Sequence, residues 1–384
     1  MALNIFVVFT LFMLWQYYRS GFERQSCIDA IFAAMWVLFA IEYHVTNDYY
    51  GYSTGFYDPS VHYLWEPLYR WLVEVANPIG FVAFNAIIAA FEIYTLCFMF
   101  KRFCPRNYMW VGILIFVLDL TNMMTYMCLK RQFFAQMVAI WALYFTVGTQ
   151  MRLRYLWATI VLICAVNIHT SAYIALFYFI VPLIKLRIGK KGMVAIALLF
   201  VGCMSFQLSG YADMLSTGLD LFLGKDSDRY GLYIEDMDDL QGDWAAGKIQ
   251  LIIQLFLLVM LLAYNKRVTL EQYWLFLLSI VGILLSVMLV GDLYRLSMYF
   301  SILNSFTVPI LLTQFDLQTA SIRQKSVYAL LLSCMLLVAA KSYYNTMSGT
   351  KVTYFTAGFR NFSTIFDEAP DMTTYQFDGV REIN

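Results

Sequence analysis

The chain has 384 residues, 61% of them hydrophobic and only 14% charged, with 26 basic and 26 acidic side chains and a formal net charge of zero. Soluble globular domains carry about 25% charged residues, so this composition excludes a water-soluble globule. Zero net charge leaves no global field to draw nucleic acid.

A helix needs about 20 apolar residues to cross a bilayer. Runs of that kind, some a little short, occur at 2–18, 27–43, 79–100, 109–127, 133–149, 155–168, 170–184, 193–209, 249–264, 272–290, 296–313 and 326–344. The first has no basic residue before it and no small-residue cleavage site after it, so it is expected to be a retained helix and not a signal peptide. The runs do not alternate with period two, which disfavours a barrel, and hydrocarbon cannot satisfy open backbone groups. The expected fold is therefore all-α: a polytopic membrane protein of about twelve helices. The 155–184 stretch, interrupted by Asn167, His169, Thr170 and Ser171, is expected to hold two crossings or a re-entrant or broken helix near 167–171.

Placing the N-terminus outside puts Arg19, Arg24, Lys101, Arg102, Arg106, Arg152, Arg154, Lys185, Arg187, Lys190, Lys191, Lys266, Arg267, Arg323 and Lys325 in six short inner loops. Basic residues in short inner loops are what the positive-inside rule expects, and most carboxylates also fall outside. The outer face is expected to consist of loops 44–78 and 209–248, short turns near 128–132, 167–170 and 291–295, and a tail, 345–384. No linker divides the chain, so 1–384 is read as one transmembrane domain. The seven cysteines include no CxxC pair, and most lie in or beside apolar runs, so neither a disulfide framework nor a zinc site is expected. The acidic string DSDRYGLYIEDMDD in the second loop lacks EF-hand spacing and is read as a solvated cap.

Candidate chemistry gathers on the outer face. The first loop holds seven tyrosines from Tyr43 to Tyr69, with Trp65, Asp48, Asp58 and Glu66. Aromatic faces beside carboxylates suit sugar rings, although interfacial aromatic belts also enrich Tyr and Trp. Lys130, Arg131 and Gln132 open the fifth helix, where two cations oppose the helix dipole and call for an anion, either a phosphate or a structural carboxylate. His169, in NIHTSA, lies deep in apolar sequence and has an ordinary pKa near neutrality, so it is read either as a proton-transfer group or as a packing histidine. Arg295 follows Asp292 at the outer end of the eleventh helix. Glu92 and Asp119 lie within apolar runs and suggest helix–helix hydrogen bonds.

Taken in order, NDYYGY, WEPLYRWL, LKRQFFAQ, NIHTSA and YRLSMYF resemble the EpsG family of bacterial polysaccharide polymerases, within the wider Wzy-like group. These strings span most of 47–300. EPLY varies mildly on the family's Glu-Pro followed by Gly or Leu. The resemblance implies a glycosyltransferase of the bacterial cytoplasmic membrane whose site faces the periplasm or cell exterior. It would polymerise undecaprenyl-pyrophosphate-linked oligosaccharide repeat units into exopolysaccharide, capsule or O-antigen, with no metal or other cofactor. A chain-length regulator is a conceivable partner. On that reading Asp48, His169 or Glu66 accepts the proton of the attacking hydroxyl. Arg131 and Arg295, supported by Lys130, neutralise the departing pyrophosphate, and Tyr49, Tyr52, Tyr69 and Gln132 position sugar or phosphate. The alternatives are a transporter or flippase of lipid-linked oligosaccharide, a related O-antigen ligase, and a non-catalytic assembly subunit.

Overall fold

The computed structural model of the chain describes residues 2–43, 47–119, 123, 126, 127, 129–207, 245–288, 294–315, 319, 321–348 and 363–365. The acidic string of the second loop, Asp292 and most of the tail lie outside these, as does the side chain of Asp48.

The described chain is helical apart from one two-residue strand pair. The elements are α1 (Ala2–Arg19), α2 (Gln25–Ala40), β1 (Glu42–Tyr43), α3 (Asn47–Tyr57), a 3-10 turn (Pro59–Leu64), α4 (Pro67–Ala76), α5 (Phe81–Phe103), α6 (Met109–Leu118) and α7 (Lys130–Leu143, with a π turn to Gly148). Then come α8 (Arg154–Val166), a 3-10 stretch (Thr170–Leu176), α9 (Phe177–Ile180), a 3-10 turn (Val181–Leu183), α10 (Lys190–Gln207), α11 (Ala245–Tyr264), α12 (Leu270–Met288), α13 (Tyr294–Ser301), α14 (Asn304–Leu312), α15 (Ile322–Ser348) and β2 (Ser363–Thr364).

Every expected apolar run overlaps a helical segment, but lengths do not establish twelve crossings. Among the described residues four helical stretches are long and apolar enough to span a membrane: Phe81–Phe103, Leu270–Met288, Arg295–Leu312 and Gln324–Tyr344. Shorter apolar helices include Gln25–Ala40, Arg106–Leu118, Arg154–Val166, Thr170–Leu183 and Leu251–Tyr264. Polar turns are one reason for the shortfall. At 1.5 Å per residue the 13 residues of α8 rise only about 20 Å, against a hydrocarbon core of about 30 Å. The expected break at 167–171 is present: α8 stops at Val166, Asn167 and Ile168 form a turn, and the chain resumes from Thr170 as a tight 3-10 stretch.

The first outer segment, expected as a loop, is mostly helical. Asp58 caps the 3-10 turn by accepting from the Ser60 amide at 2.9 Å, and hydrogen bonds from the Ser60 side chain and amide hold its carboxyl below the usual range. Pro67 at the first position of α4 costs no hydrogen bond, because that amide has no intrahelical partner. Gly80, at φ 81°, turns the chain into α5 in the left-handed region open to glycine, and the Phe81 amide donates to Tyr57 Oη at 3.0 Å.

Packing pairs α1 with α2, α2 with α5, α7 with α8, α12 with α13, and α6 with α14. The last pair is close because Gly112 lacks a side chain: a Cβ there would lie 2.2 Å from the Ser305 carbonyl oxygen. Asp119 accepts from Ser342 Oγ at 3.0 Å, joining the end of α6 to α15, a helix–helix bond as its sequence position suggests. β2 pairs antiparallel with β1, Glu42 opposite Thr364, and the Ile365 amide donates to the Ile41 carbonyl. Residues 363–365 therefore sit at the same end of the bundle as α3 and α4.

Candidate functional site

The site is built where α4, α7, the 167–171 turn and α13 meet. It begins with a head-to-tail junction of two helices. The Asn167 carbonyl, at the C-terminus of α8, accepts from the Leu68 and Tyr69 amides at 2.9 and 3.3 Å. These are two of the unpaired amides at the N-terminus of α4, so each helix end satisfies the other and their dipoles align.

Glu66 precedes Pro67 and makes no side-chain cap to its own helix. Its Oε1 accepts from the Thr170 amide at 2.9 Å and Thr170 Oγ1 at 3.1 Å, and its Oε2 pairs with Arg131 Nη1 at 2.7 Å. The Arg131 guanidinium lies 5.7 Å from the ring centroids of both Tyr52 and Tyr69, within cation–π range. Its Nε is buried without a protein hydrogen-bond partner. Burial pushes the Tyr69 phenol up, against the pull of Arg131, so it stays protonated.

His169 is the residue before the 3-10 stretch and caps it. Its Nδ1 accepts from the Ser171 amide at 3.2 Å and lies 2.7 Å from Ser171 Oγ, which is 3.0 Å from Tyr299 Oη. The Tyr178 hydroxyl donates to the Tyr299 carbonyl at 2.5 Å, fixing that residue. Burial first, then the positive charges of Arg131 and Arg295, lower the imidazole from 6.5 to about 4, while Glu66 opposes them. Both guanidinium groups thus act on His169. Gln132 Nε2 donates to the Arg295 carbonyl at 2.8 Å, and Gln136 one turn on donates to the Met298 carbonyl at 2.6 Å, fastening α13 along α7.

The structure therefore gathers Glu66, Arg131, His169, Arg295, Tyr52 and Tyr69, with Gln132 holding the backbone of Arg295. It does not place Lys130 with them. Lys130 pairs with Glu42, donates to Asn85 Oδ1 at 2.8 Å and lies 5.2 Å from the Tyr49 ring centroid. Tyr49 is buried and meets Phe81 edge-on, so both it and Lys130 belong to a neighbouring structural cluster. The physical reason is helix geometry: successive residues diverge by about 100° around the axis, so adjacent cations face different carboxylates. Asp48 lies in α3, its side chain outside the described residues.

Sequence reasoning passed over Glu42, Asn85, Ser171 and Tyr299 as site components. Ser171 and Tyr299 stand inside NIHTSA and YRLSMYF, so a signal existed. Glu42 offered only an unexplained carboxylate at the end of an apolar run. Among the described residues no group of three or more His, Cys, Asp or Glu side chains could hold a metal ion.

This arrangement can bind an anion with two guanidinium groups, offer phenol and imidazole hydrogen bonds, and present a carboxylate beside them. Comparison with curated proteins and with solved structures returns no match. The family model of EpsG matches residues 25–356, nearly the whole chain and a range that includes all five strings. By that match the chain belongs to the EpsG family, a polysaccharide-polymerase-type family with a general role in exopolysaccharide synthesis.

Proposed function

We propose that the chain polymerises undecaprenyl-pyrophosphate-linked oligosaccharide repeat units at the outer side of the bacterial cytoplasmic membrane. The growing glycan leaves its carrier for the non-reducing end of a new unit. The bond from its anomeric carbon to the pyrophosphate oxygen breaks, and a hydroxyl oxygen of the acceptor sugar forms the new glycosidic bond. The hydroxyl proton passes to a carboxylate, and the lipid pyrophosphate departs with the bonding electron pair.

The observation that carries this reading is the chain Arg131–Glu66–Thr170 beside His169, with Arg295 close enough for its charge to act on the imidazole. Two guanidinium groups stabilise charge as it grows on pyrophosphate. The Arg131–Glu66 pair holds that cation in place before substrate arrives. When pyrophosphate shares Arg131, Glu66 Oε2 is left to accept the hydroxyl proton. Thr170 keeps Oε1 in position throughout, as a general base within hydrogen-bond reach requires. Tyr52 and Tyr69 offer ring faces and phenols to sugar. Asp48, a residue of α3, is the second candidate base.

The test is elongation of lipid-linked repeat units, isolated from cells lacking the polymerase, by the purified full-length protein. Arg131→Ala and Arg295→Ala should each abolish lengthening at normal protein levels. Wild-type polymer lengths in both variants would remove the pyrophosphate clamp. A reporter inserted after residue 230 should read as non-cytoplasmic, and a cytoplasmic signal would overturn the sidedness.

A further inference from the structure

A histidine in a transferase site is ordinarily assigned as a base, and here the backbone argues otherwise. The Ser171 amide has a hydrogen and no lone pair, so its bond to Nδ1 requires Nδ1 to be the acceptor. Ser171 Oγ lies on the same nitrogen at 2.7 Å, and Tyr299 Oη is the next group along at 3.0 Å. The consistent direction runs from the Tyr299 hydroxyl to Ser171 Oγ and from Ser171 Oγ to Nδ1. The neutral ring then carries its proton on Nε2, which has no protein hydrogen-bond partner among the described residues. The charged and polar groups around it are Arg131 from α7, Arg295 from α13, Glu66 ahead of α4, and Ser171 and Tyr299.

We propose that His169 acts as a neutral hydrogen-bond donor through Nε2 to a phosphoryl oxygen of the lipid pyrophosphate, and that Ser171 and Tyr299 are positioning residues that hold this tautomer. The proposal rests on the polymerase reading for its substrate but not for its tautomer. A neutral donor near two guanidinium groups adds a directed N–H to the oxyanion without a third positive charge. The hydrogen bond made by one ring nitrogen sets what the other can do, so the Ser171 amide, backed by two hydroxyls that never touch substrate, decides whether Nε2 of His169 donates or accepts.

Two kinds of measurement separate this inference from the wider reading. The first is nitrogen NMR of full-length protein labelled at its three histidines, with His169 assigned by its loss in His169→Gln. The Nε2–H tautomer is expected at neutral pH, with the Nε2 signal shifting when inorganic pyrophosphate is added. Ser171→Ala and Tyr299→Phe, which remove the hydroxyl chain but keep the Ser171 amide, should raise the Nδ1–H fraction without making it dominant. An Nδ1–H resting ring, or no response to pyrophosphate, overturns the proposal whether or not the protein polymerises.

The second is the elongation assay on His169→Gln and His169→Asn. The Gln amide nitrogen reaches the place of Nε2, whereas the Asn amide reaches only that of Nδ1. Gln should keep activity within roughly tenfold, and Asn should lose about 10²-fold, the size of one lost oxyanion donor. The acid limb of the pH–rate profile should be the same in His169→Gln and wild type. Asn outperforming Gln would move the functional N–H to the Nδ1 position, and an acid limb that vanishes with the imidazole would make His169 the base; either result overturns the proposal. A wild-type protein that lengthens nothing would instead remove the polymerase reading and leave the tautomer result standing.

Discussion

The two ends of the helical bundle carry similar side chains and use them differently. At the basic end, arginines close helix C-termini. Arg102, in the last turn of α5, donates to the Gly148 carbonyl at 2.6 and 3.0 Å, where the π turn ends α7, and pairs with Glu271 at 2.8 Å. Arg187 donates to the Asn265 and Val268 carbonyls at 2.8 and 3.0 Å just beyond α11 and lies 4.3 Å from the Tyr273 ring centroid. A cation there has the sign the helix dipole favours and meets orphan carbonyls. At the other end Lys130 and Arg131 open α7, where the dipole has the wrong sign. Each is balanced by a carboxylate from a separate element, Glu42 and Glu66. A cation placed against its helix must be held by something else, and a group so held is free to change partners when an anion arrives.

That contrast can be broken by removing one cation from each end. Arg131→Ala should lower elongation about 10³-fold, the scale of lost oxyanion stabilisation, in protein that still inserts and folds. Arg102→Ala should lower the melting temperature in detergent while the rate per folded molecule stays within twofold of wild type. Equal inactivation of two folded variants would erase the division of labour between the ends.

Next in size is the buried pair beside the site. Lys130→Met or Glu42→Gln alone should cost about 3–5 kcal/mol, because each leaves an uncompensated buried charge or partner. The double variant Lys130→Met with Glu42→Leu should recover most of that, a non-additivity read from thermal melts. Lys130→Met with unchanged stability and lost elongation would return Lys130 to the substrate. A smaller effect is expected of Gly112→Ala: the added methyl meets the Ser305 carbonyl and should cost about 1–3 kcal/mol without touching the rate.

The last effect is a slope. His169 titrates near 4 in the fold and at its ordinary value of 6.5 when unfolded. Between those values the unfolded chain binds more protons, so stability rises with pH and is lost as pH falls from 6.5 through about 4. His169→Gln removes this contribution. Melting curves from pH 7 to 4 should therefore be shallower in pH for the variant, and identical slopes would place the imidazole in a different environment.

The apolar runs were legible because composition alone forces them into helices, and the break at 167–171 was legible because four polar residues interrupt one of them. Where Arg131, His169 and Arg295 would meet followed from their order on one side of the bundle. Lys130 misled for a local reason, since neighbours in sequence point apart on a helix. Residues 44–78 concealed α3 and α4 because polar and aromatic residues fill those helices, leaving no run of apolar length. The protonation pattern of His169 was beyond sequence, since it is set by a main-chain amide two residues away.

The junction at Asn167 ties two stretches separated by about a hundred positions into one mechanical piece. A single carbonyl serves two amides of α4, and Thr170 fastens the carboxylate at the head of that helix. Grafting the tyrosine-rich segment from a cousin with other sugar preferences would succeed only if residues 167–170 travelled with it. Specificity in this architecture is inherited in matched halves.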